Sequence, residues 1–209
     1  MQDFVERLNY QLGLPLPGIE AQYEMAPVNR QKIFEDKIDL LSYKQSAVLI
    51  LLYKNQVNKW QLPLIKRVNS GGVHGGQISL PGGSFDTSDV TLEQTAIRET
   101  FEEIGARDFN VIGNLTELYI PVSRFKVQPF VAVSHIPNPV FNISKYEVEH
   151  LIELPIEQLL ENEIKKEGII KSSDSNQTKA PYFAVKGYTV WGATAMILNE
   201  LRTVLYSTY

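Results

Sequence analysis

Three glutamates lie close together just after a run of glycines: Glu99, Glu102 and Glu103. Residues three and four apart on a helix are surface neighbours, so a helix here would place the three carboxylates on one face. The side chains expected to point the opposite way are those of Ile97, Thr100, Phe101 and Ile104. Like charges at this spacing destabilise an isolated helix, and a bound cation would compensate for their repulsion. The cluster therefore predicts a site for Mg²⁺ or Mn²⁺ facing a phosphorylated substrate; the alternative is a solvated acidic face.

A glycine turn and two helix-end signals surround this cluster. Thr91 followed by Gln94 resembles a capping box, and Gly105 fits a left-handed stop, which together predict a helix over Leu92–Ile104. Upstream, the absent side chains of Pro81-Gly82-Gly83 permit positive φ and allow the backbone to approach a ligand closely. An ordinary tight turn is the alternative. The combination of turn and helix favours a binding site.

The order of residue types in this helix resembles a known signature. Residues 98–106 read R-E-T-F-E-E-I-G-A, and they resemble the R-E-U-x-E-E-x-G-U core of the Nudix hydrolases, in which U is a bulky aliphatic residue. Three features depart from the pattern: Thr100 and Ala106 replace aliphatic residues, one extra residue lies between Gly83 and Arg98, and Asp89 or Val90 stands where the family has an early glutamate. The core arginine and all three glutamates are present, so the chain is identified as a member of this family.

The Nudix resemblance implies a fold and a set of site residues. The fold is an α/β/α sandwich with a mixed β-sheet between helical layers. Glu99, Glu102 and Glu103 would be metal ligands and catalytic groups, with Glu99 open to a metal role, a base role or both. A further acid from outside the helix often supplies the base or another ligand in this family. Glu147 is the best candidate, with Glu149 close behind; a solvated loop acid is the alternative for either.

The same resemblance implies supporting roles. Arg98 would orient a carboxylate through a bidentate pair rather than touch the substrate. Gly82 and Gly83 would shape the turn that meets the substrate. Arg67 is assigned to a substrate phosphate, because a guanidinium near the glycine turn can make paired hydrogen bonds to phosphate oxygens. Lys66 could instead be a surface residue.

A second resemblance, just upstream, concerns the substrate. Residues 64–68 and 74–83 resemble the stretch that precedes the motif in coenzyme A pyrophosphatase-like Nudix proteins, and so does Trp191-Gly192-Ala193-Thr194-Ala195 before the terminal helix. The matching residues upstream are Arg67, Gly76 and Gln77, and the departures are Val68, Gly72 and Leu80. The resemblance covers most of Ala47 to Leu205.

This subgroup resemblance implies a reaction. Coenzyme A or a derivative would be split into 4′-phosphopantetheine and adenosine 3′,5′-bisphosphate. Hydrolysis of NADH or ADP-ribose is one alternative, and a non-catalytic nucleotide-binding module is another. Such modules commonly lose a motif glutamate, so the presence of all three favours catalysis.

A few further side chains invite a functional interpretation. His74 lies in the glycine-rich loop, where a turn or hydrogen-bonding role is the expectation, so no catalytic role is assigned to it. The aromatic rings of Tyr182, Tyr188 and Trp191 could stack on adenine, but packing in the core is the favoured expectation.

Composition favours one domain with a small anionic substrate. The 209 residues, 44% of them hydrophobic, can bury one sizeable core. We expect residues 1–45 to be an N-terminal extension packed on the domain and residues 46–209 to be the Nudix domain. The net charge of −4 argues against polymeric nucleic acid as a partner. The oligomeric state is left open, with a homodimer as one option.

The cysteine content and the short apolar segments both favour a cytoplasmic location. The chain has no cysteine, which excludes disulfides and thiolate chemistry. Its N-terminus carries charges where a signal peptide needs an apolar run, and the longest apolar stretch, Ala47–Tyr53, is too short to span a bilayer. We expect a cytoplasmic protein without a membrane partner.

The elements that must position the site alternate between strands and helices. The apolar run Ala47–Tyr53 is expected to form a central strand, with Trp60–Ile65 as its hairpin partner. Further strands are predicted over Val111–Leu118, Val127–Ser134, His150–Leu154 and Pro181–Val185, and further helices over Ile156–Leu160 and Ala193–Tyr206. Residues 13–29 are expected to be an irregular surface arm, and residues 171–179 a polar loop.

Overall fold

The computed structural model describes residues 2–28, 30, 43–69, 75–171 and 177–208. The helices are α1 (Gln2–Leu12), α2 (Gly18–Tyr23), α3 (Leu92–Ile104), α4 (Ile156–Leu160) and α5 (Gly192–Tyr206). The strands are β1 (Lys44–Lys54), β2 (Trp60–Arg67), β3 (Ile78–Ser79), β4 (Gly82–Ser84), β5 (Phe109–Asn114), β6 (Leu118–Ile120), β7 (Phe125–Ser134), β8 (Val148–Pro155), β9 (Lys165–Lys171), β10 (Gln177–Val185) and β11 (Tyr188–Trp191). A 3₁₀ turn, Asn162–Ile164, joins α4 to β9.

The central sheet is mixed. Strands β1 and β7 run parallel, whereas β2 and β4 run antiparallel to β1. The order along the sheet is β3-β2-β1-β7-β5, with β4 also paired to β1, β6 to β7 and β8 to β2. The hairpin expected between β1 and β2 is confirmed, with Tyr53 opposite Gln61 at its closed end.

Strand β1 buries both of its faces, and helices cover each side. Successive side chains of a strand point to opposite faces. Leu51 belongs to the core that contains Ala96 of α3, whereas Ile50 and Leu52 belong to the core that contains Met196 of α5. Helices therefore lie on both sides of a mixed sheet, which confirms the predicted α/β/α sandwich.

Local signals placed the bounds of α3 correctly. The hydroxyl of Thr91 accepts a hydrogen bond from the Gln94 N–H at 3.2 Å, and Gly105 has the left-handed φ of +68°. The helix Ile156–Leu160 also has its predicted bounds, and the terminal helix begins one residue earlier than expected. The single strand expected over Val111–Leu118 is wrong: β5 ends at Asn114 and β6 begins at Leu118, after a register shift in β5.

The N-terminal residues contain helices rather than an arm without secondary structure. Within the expected irregular stretch 13–29, α2 is a six-residue helix, which is too short to be stable without tertiary packing. The carboxylate of Glu200 on α5 provides a stabilising tertiary contact. It accepts hydrogen bonds from the Gln22 side-chain amide at 2.8 Å and from the Gly18 N–H at 3.2 Å. The division at residues 45 and 46 stays a prediction, and residues 31–42 lie outside the described part of the chain.

A second, smaller antiparallel sheet has the order β11-β10-β9. The polar loop expected over residues 171–179 is therefore wrong at both ends: β9 extends to Lys171 and β10 begins at Gln177, while residues 172–176 lie outside the described ranges. No helix in the described part of the chain is long and apolar enough to cross a membrane.

Candidate active site

Gly82 and Gly83 were expected to shape a turn, but they lie in the short strand β4, where their absent side chains let the chain pair closely with β1 directly after the bend at Pro81. We keep the name glycine turn for residues 81–83. Gly82 has a φ of +146°, and a Cβ at this position would overlap the carbonyl oxygen of Ala47 and the Cα of Val48. Its N–H donates a 2.8 Å hydrogen bond to Oε2 of Glu103. Only glycine fits this conformation and this close approach, so the turn is held against both β1 and α3.

The second glycine makes room for a carboxylate. A Cβ on Gly83 would overlap the carboxyl carbon and both carboxylate oxygens of Glu99. The Glu99 side chain therefore occupies the volume that any other residue at position 83 would fill. Burial is the largest factor that raises the pKa of Glu99, and the charges of Glu102 and Glu147 raise it further.

Glu103 is the buried member of the cluster. Its side chain is 1% exposed, and Nη1 of Arg67 lies 3.0 Å from its Oε1. This contact is an ion pair without an aligned hydrogen bond, since Oε1 is a buried oxygen with no hydrogen-bond partner in the described residues. Burial raises the pKa of Glu103 to about 7 against the opposing effects of Arg67 and the Gly82 N–H, and the charges of Glu99 and Glu147 add to the rise.

The helix faces differ from the expected division. Phe101 was expected to point into the protein, but its side chain is exposed and the Arg107 guanidinium lies 4.2 Å from the centre of its ring. Glu103, expected on the acidic face, is buried beside Thr100 and Ile104. The expectation is wrong because the glycine turn covers one flank of α3, so Glu103 lies under the turn and Phe101 lies outside the core.

Arg98 links the carboxylates of the cluster. Its Nε and Nη2 donate to the two oxygens of Asp89 at 2.9 and 2.8 Å, which is a bidentate pair. Its Nη1 donates to Oε1 of Glu99 at 2.9 Å and to Oε2 of Glu102 at 3.1 Å. Arg98 therefore contacts three acids, and Asp89 is the partner that residue patterns alone did not identify.

Asp89, rather than Val90, faces the cluster. Val90 is 81% exposed, whereas Asp89 is buried and also accepts a 2.8 Å hydrogen bond from the Thr95 hydroxyl. The hydrogen bonds from Arg98 hold the pKa of Asp89 well below its usual range. The spacing of Asp89 and Arg98, nine residues apart across a helix start, was the available signal for this pair.

Of the two acids considered outside the helix, Glu147 is the one near the cluster. Its charge contributes to the raised pKa of both Glu99 and Glu103. The Ser144 N–H bonds to the backbone carbonyl of Glu103 at 2.9 Å, which ties this loop to the end of α3. Glu149 instead pairs with Nζ of Lys66 at 2.8 Å on a partly exposed surface.

Arg67 points into the cluster from β2. Its Nε donates to the Ser79 hydroxyl at 3.1 Å and its Nη2 to the Gly82 carbonyl at 2.7 Å, while Nη1 faces Glu103. The guanidinium thus lies beside the glycine turn, where a substrate phosphate was expected. Its nitrogens are engaged by protein groups, so binding a phosphate would require an exchange of partners.

The remaining predicted residues lie elsewhere. Tyr182, Tyr188 and Trp191 were expected in the core, and all three are half-buried and line an open cleft. Tyr188 packs against the main core as expected. The expectation is wrong for Tyr182 and Trp191, because strands β10 and β11 turn one face away from the core. His74 and Gly72 lie outside the described residues.

The cluster fits a hard divalent cation through its chemistry rather than through a preformed cage. Across the described ranges, no three acidic or histidine side chains converge closely enough to hold one ion. Glu99 and Glu102 face Arg98, and Glu103 faces Arg67. Mg²⁺ and Mn²⁺ prefer oxygen ligands, and the buried Glu103 oxygen without a hydrogen bond is such a ligand. The three glutamates would hold the ion by turning from their arginine partners.

Asp89→Asn is expected to lower the free energy of unfolding by about 1–3 kcal/mol at neutral pH, since Arg98 would lose a charged partner in a buried pair. The pKa of Asp89 is depressed in the folded state. The ionised carboxylate therefore stabilises the fold fully at pH values above its ordinary pKa of 3.8, and this stabilisation is lost as the pH falls below 3.8. Urea unfolding of both proteins should therefore show a constant difference above about pH 6 and a smaller one near pH 3.

Asp86→Asn is the control for this change, because its exposed carboxylate bonds to Ser88 and lies in the same loop. Its effect on unfolding should be smaller than that of Asp89→Asn. Equal stability of Asp89→Asn and the wild type at neutral pH would contradict the prediction.

The family model and the relatives found by sequence comparison agree on one family. The family model described as NUDIX domain matches residues 43–170. An uncharacterized Nudix hydrolase, NudL, from Citrobacter koseri is 32% identical over 166 residues, which cover 78% of this chain and 83% of that protein. Nudix hydrolase 15, mitochondrial, from Arabidopsis thaliana is 28% identical over 93% of this chain and 68% of its own length. A crystal structure of a Nudix hydrolase from M. smegmatis superposes with a TM-score of 0.49 at 17% identity, covering 87% of this chain and 93% of the other.

Proposed function

The chain belongs to the Nudix hydrolase family, and on that premise we propose that it hydrolyses the diphosphate linkage of coenzyme A or its derivatives. At the coarser level, it is a Nudix hydrolase of nucleoside diphosphate derivatives. The observation that carries the hydrolase assignment is the position of Glu99 and Glu103 against Gly83 and Gly82, with Glu102 joined to Glu99 through Arg98 and the charge of Glu147 acting on both buried carboxylates. Enzymes of this family generally need divalent metal ions, and we take Mg²⁺ or Mn²⁺ as the ion here.

A diphosphate linkage sets three requirements for hydrolysis. Its oxygens are anionic and repel a nucleophile, so the site must neutralise charge, position a water molecule and accept a proton. When bound, the divalent cation supplies the charge neutralisation and lowers the pKa of water. The protein must supply the rest.

The side chains of the cluster divide the remaining tasks. Glu99 and Glu147 are the two candidates for the base that takes the proton from the attacking water. The water oxygen forms a bond to one phosphorus, the bond from that phosphorus to the bridging oxygen breaks, and the second phosphate leaves. Arg98 holds Glu99 and Glu102 in place through its hydrogen bonds, which makes it a positioning residue.

Coenzyme A is favoured by the stretch upstream of the turn. Arg67, Gly76 and Gln77 match the subgroup pattern, and the Arg67 guanidinium lies beside the carbonyl of Gly82. Hydrolysis would give 4′-phosphopantetheine and adenosine 3′,5′-bisphosphate. Gly72 replaces the second arginine of the pattern, and losing one charge-assisted contact costs about 1.5–3 kcal/mol. Specificity within the nucleotide range is therefore expected to be broad.

The test is a product-release assay with coenzyme A, its thioesters, NADH, ADP-ribose and nucleoside triphosphates, each with Mg²⁺ and with Mn²⁺. We expect activity to vanish with chelator and to return with either ion. The kcat/KM for coenzyme A should be at least as high as that for NADH or ADP-ribose. An alternative substrate cleaved tenfold more efficiently would reject coenzyme A but keep the hydrolase assignment, whereas full activity in metal-free protein would reject the metal site.

Partners and location follow the same proposal. A small nucleotide substrate, without polymeric nucleic acid, suits the net charge of −4. A cytoplasmic location stays a prediction from composition, and so does the option of a homodimer. Size-exclusion chromatography with light scattering would measure the oligomeric state.

A further inference from the structure

The guanidinium of Arg67 has three different protein partners. Its Nε donates to the Ser79 hydroxyl at 3.1 Å, and its Nη2 donates to the Gly82 carbonyl at 2.7 Å. Its Nη1 lies 3.0 Å from Oε1 of Glu103. A guanidinium presents its donors in a rigid plane, so partners at all three nitrogens fix both its position and its orientation. The group is therefore held in one place by β3, the glycine turn and α3.

The backbone at Arg67 is also held from both sides of β2. The Arg67 N–H donates to the Gln77 carbonyl at 3.0 Å, and the N–H of the next residue, Val68, donates to the Glu147 carbonyl at 2.9 Å. The register between β2 and β8 shifts immediately before Arg67. Shifts of this kind re-aim a side chain and are common next to active sites. The end of β2 is thus a fixed base from which the Arg67 side chain reaches α3.

Arg67 acts on the Glu103 carboxylate by two routes. The direct route is the ion pair with Oε1. The indirect route passes through the glycine turn, because Arg67 binds the Gly82 carbonyl and the Gly82 N–H donates to Oε2 of Glu103 at 2.8 Å. The indirect route does not use Oε1, so it remains when that oxygen is given to a cation. Arg67 therefore fixes where the Glu103 carboxylate lies relative to the turn.

We propose that Arg67 is a positioning residue for Glu103 and the glycine turn, and that it does not bind a substrate phosphate. Ser79 orients Arg67, because its hydroxyl is the acceptor that fixes Nε. This role replaces the phosphate contact expected from the sequence, since each side of the guanidinium already has a protein partner. The inference rests on the proposed function, because it concerns the turnover in which Glu103 takes part.

The separate effects on kcat and KM test this role. Arg67→Gln should lower kcat for coenzyme A by roughly 30-fold and leave KM within about twofold, because the contacts that place Glu103 are lost. Arg67→Lys should recover little of the loss, since one ammonium nitrogen cannot reach three separate acceptors, although it could pair with a phosphate as a point charge. Lys66→Gln is the matched control: Lys66 precedes Arg67 on β2 and pairs with Glu149, so both constants should keep wild-type values.

Ser79→Ala is a milder variant that keeps the charge of Arg67. Loss of the hydroxyl should lower kcat by roughly threefold to tenfold without changing KM. In the Arg67→Gln background the same change should have little further effect, because Ser79 acts through Arg67. Losses that multiply in the double variant would overturn the link between the two residues.

Amide exchange at Gly82 gives a measurement that needs neither substrate nor metal. The chain has 13 glycines, so protein labelled with ¹⁵N-glycine has few amide signals to assign. Arg67→Gln should speed exchange of the Gly82 N–H by roughly tenfold or more, because its hydrogen bond to Glu103 would open more often. Lys66→Gln should not change it. Gly113 on β5 is the internal reference for opening of the whole fold.

Two kinetic results would overturn the inference: a wild-type kcat or a tenfold higher KM in Arg67→Gln, or recovery of most of the kcat in Arg67→Lys. Gly82 exchange that is unchanged in Arg67→Gln would overturn it as well. The proposed function fails separately, through absence of turnover by the wild type across the substrate panel. In that case Gly82 exchange still decides whether Arg67 holds the glycine turn.

Discussion

Glu103→Gln is expected to lower kcat by about 10³-fold, the largest effect of any single change in the cluster. The glutamine keeps the volume of the side chain but removes the charge of the buried carboxylate. It also removes the ion pair with Arg67 and the negatively charged acceptor for the Gly82 N–H. Single-turnover and steady-state assays with saturating Mg²⁺ would measure the loss, and metal affinity should fall as well.

Glu102→Gln should also lose activity by orders of magnitude if Glu102 binds the ion, although its side chain is 49% exposed and pairs with Arg98. Glu93→Gln is the control, because Glu93 is an exposed acid in the first turn of the same helix. It should have wild-type kcat. Wild-type rates in both Glu102→Gln and Glu103→Gln would return the cluster to a structural role.

The stability of the metal-free protein separates this catalytic loss from misfolding. The folded-state pKa of Glu103, about 7, lies above its ordinary value of 4.5, so the fold favours the neutral carboxyl. The neutral Glu103 carboxyl therefore contributes to the free energy of unfolding below pH 4.5. This contribution, on the order of 3 kcal/mol, is lost as the pH rises to about 7. The glutamine has no such titration. Glu103→Gln should therefore unfold at the same or higher denaturant concentration than wild type at pH 8 in chelator.

The parts of the site that sequence patterns anticipate are those with local causes. The bounds of α3 follow from the hydroxyl of Thr91 and the left-handed Gly105, both within one residue of the helix ends. The central strand follows from an apolar run long enough to be buried on both faces. These signals depend on neighbours in sequence, so they need no knowledge of the fold.

The features that patterns missed depend on distant contacts. Burial of Glu103 comes from a turn 21 residues earlier, and helix periodicity contains no information about that turn. The short helix α2 is stabilised by Glu200, 182 residues after Gly18. Strand β9, with the sequence KKEGIIK, carries charged residues without a clear alternation, so the second sheet was not anticipated. The exposed face of that sheet is what makes the cleft.

α1 is a different kind of omission, because its signal was visible. Phe4, Leu8 and Leu12 recur every four residues, and all three are buried in the main core. That spacing places them on one face of a helix. The helix could therefore have been predicted from the same periodicity that places α5, whereas no local pattern predicts its contact with β5.

The other prediction of large effect concerns alanine substitution at Gly82 and at Gly83. The added methyl group would contact different neighbours at the two positions. Gly83→Ala should lower kcat by about 10²-fold with little change in stability, because its Cβ overlaps the end of the flexible Glu99 side chain. Gly82→Ala should instead destabilise the fold by about 3 kcal/mol or more. Its φ of +146° is strained for alanine, and its Cβ overlaps the backbone of Ala47 and Val48.

Gly13→Ala is the matched control for both glycine variants, because the same added methyl group would lie at an ordinary distance of 3.4 Å from the Tyr10 carbonyl oxygen. Denaturant unfolding and kcat measured on all three proteins would separate the two effects. Gly83→Ala with wild-type kcat would mean that the position of the Glu99 carboxylate does not matter for turnover, which removes Glu99 from the chemistry. If Gly82→Ala and Gly83→Ala lost the same stability, the space beside Gly83 would be needed for folding. That result would mean that Glu99 cannot move away from an added Cβ without disturbing α3.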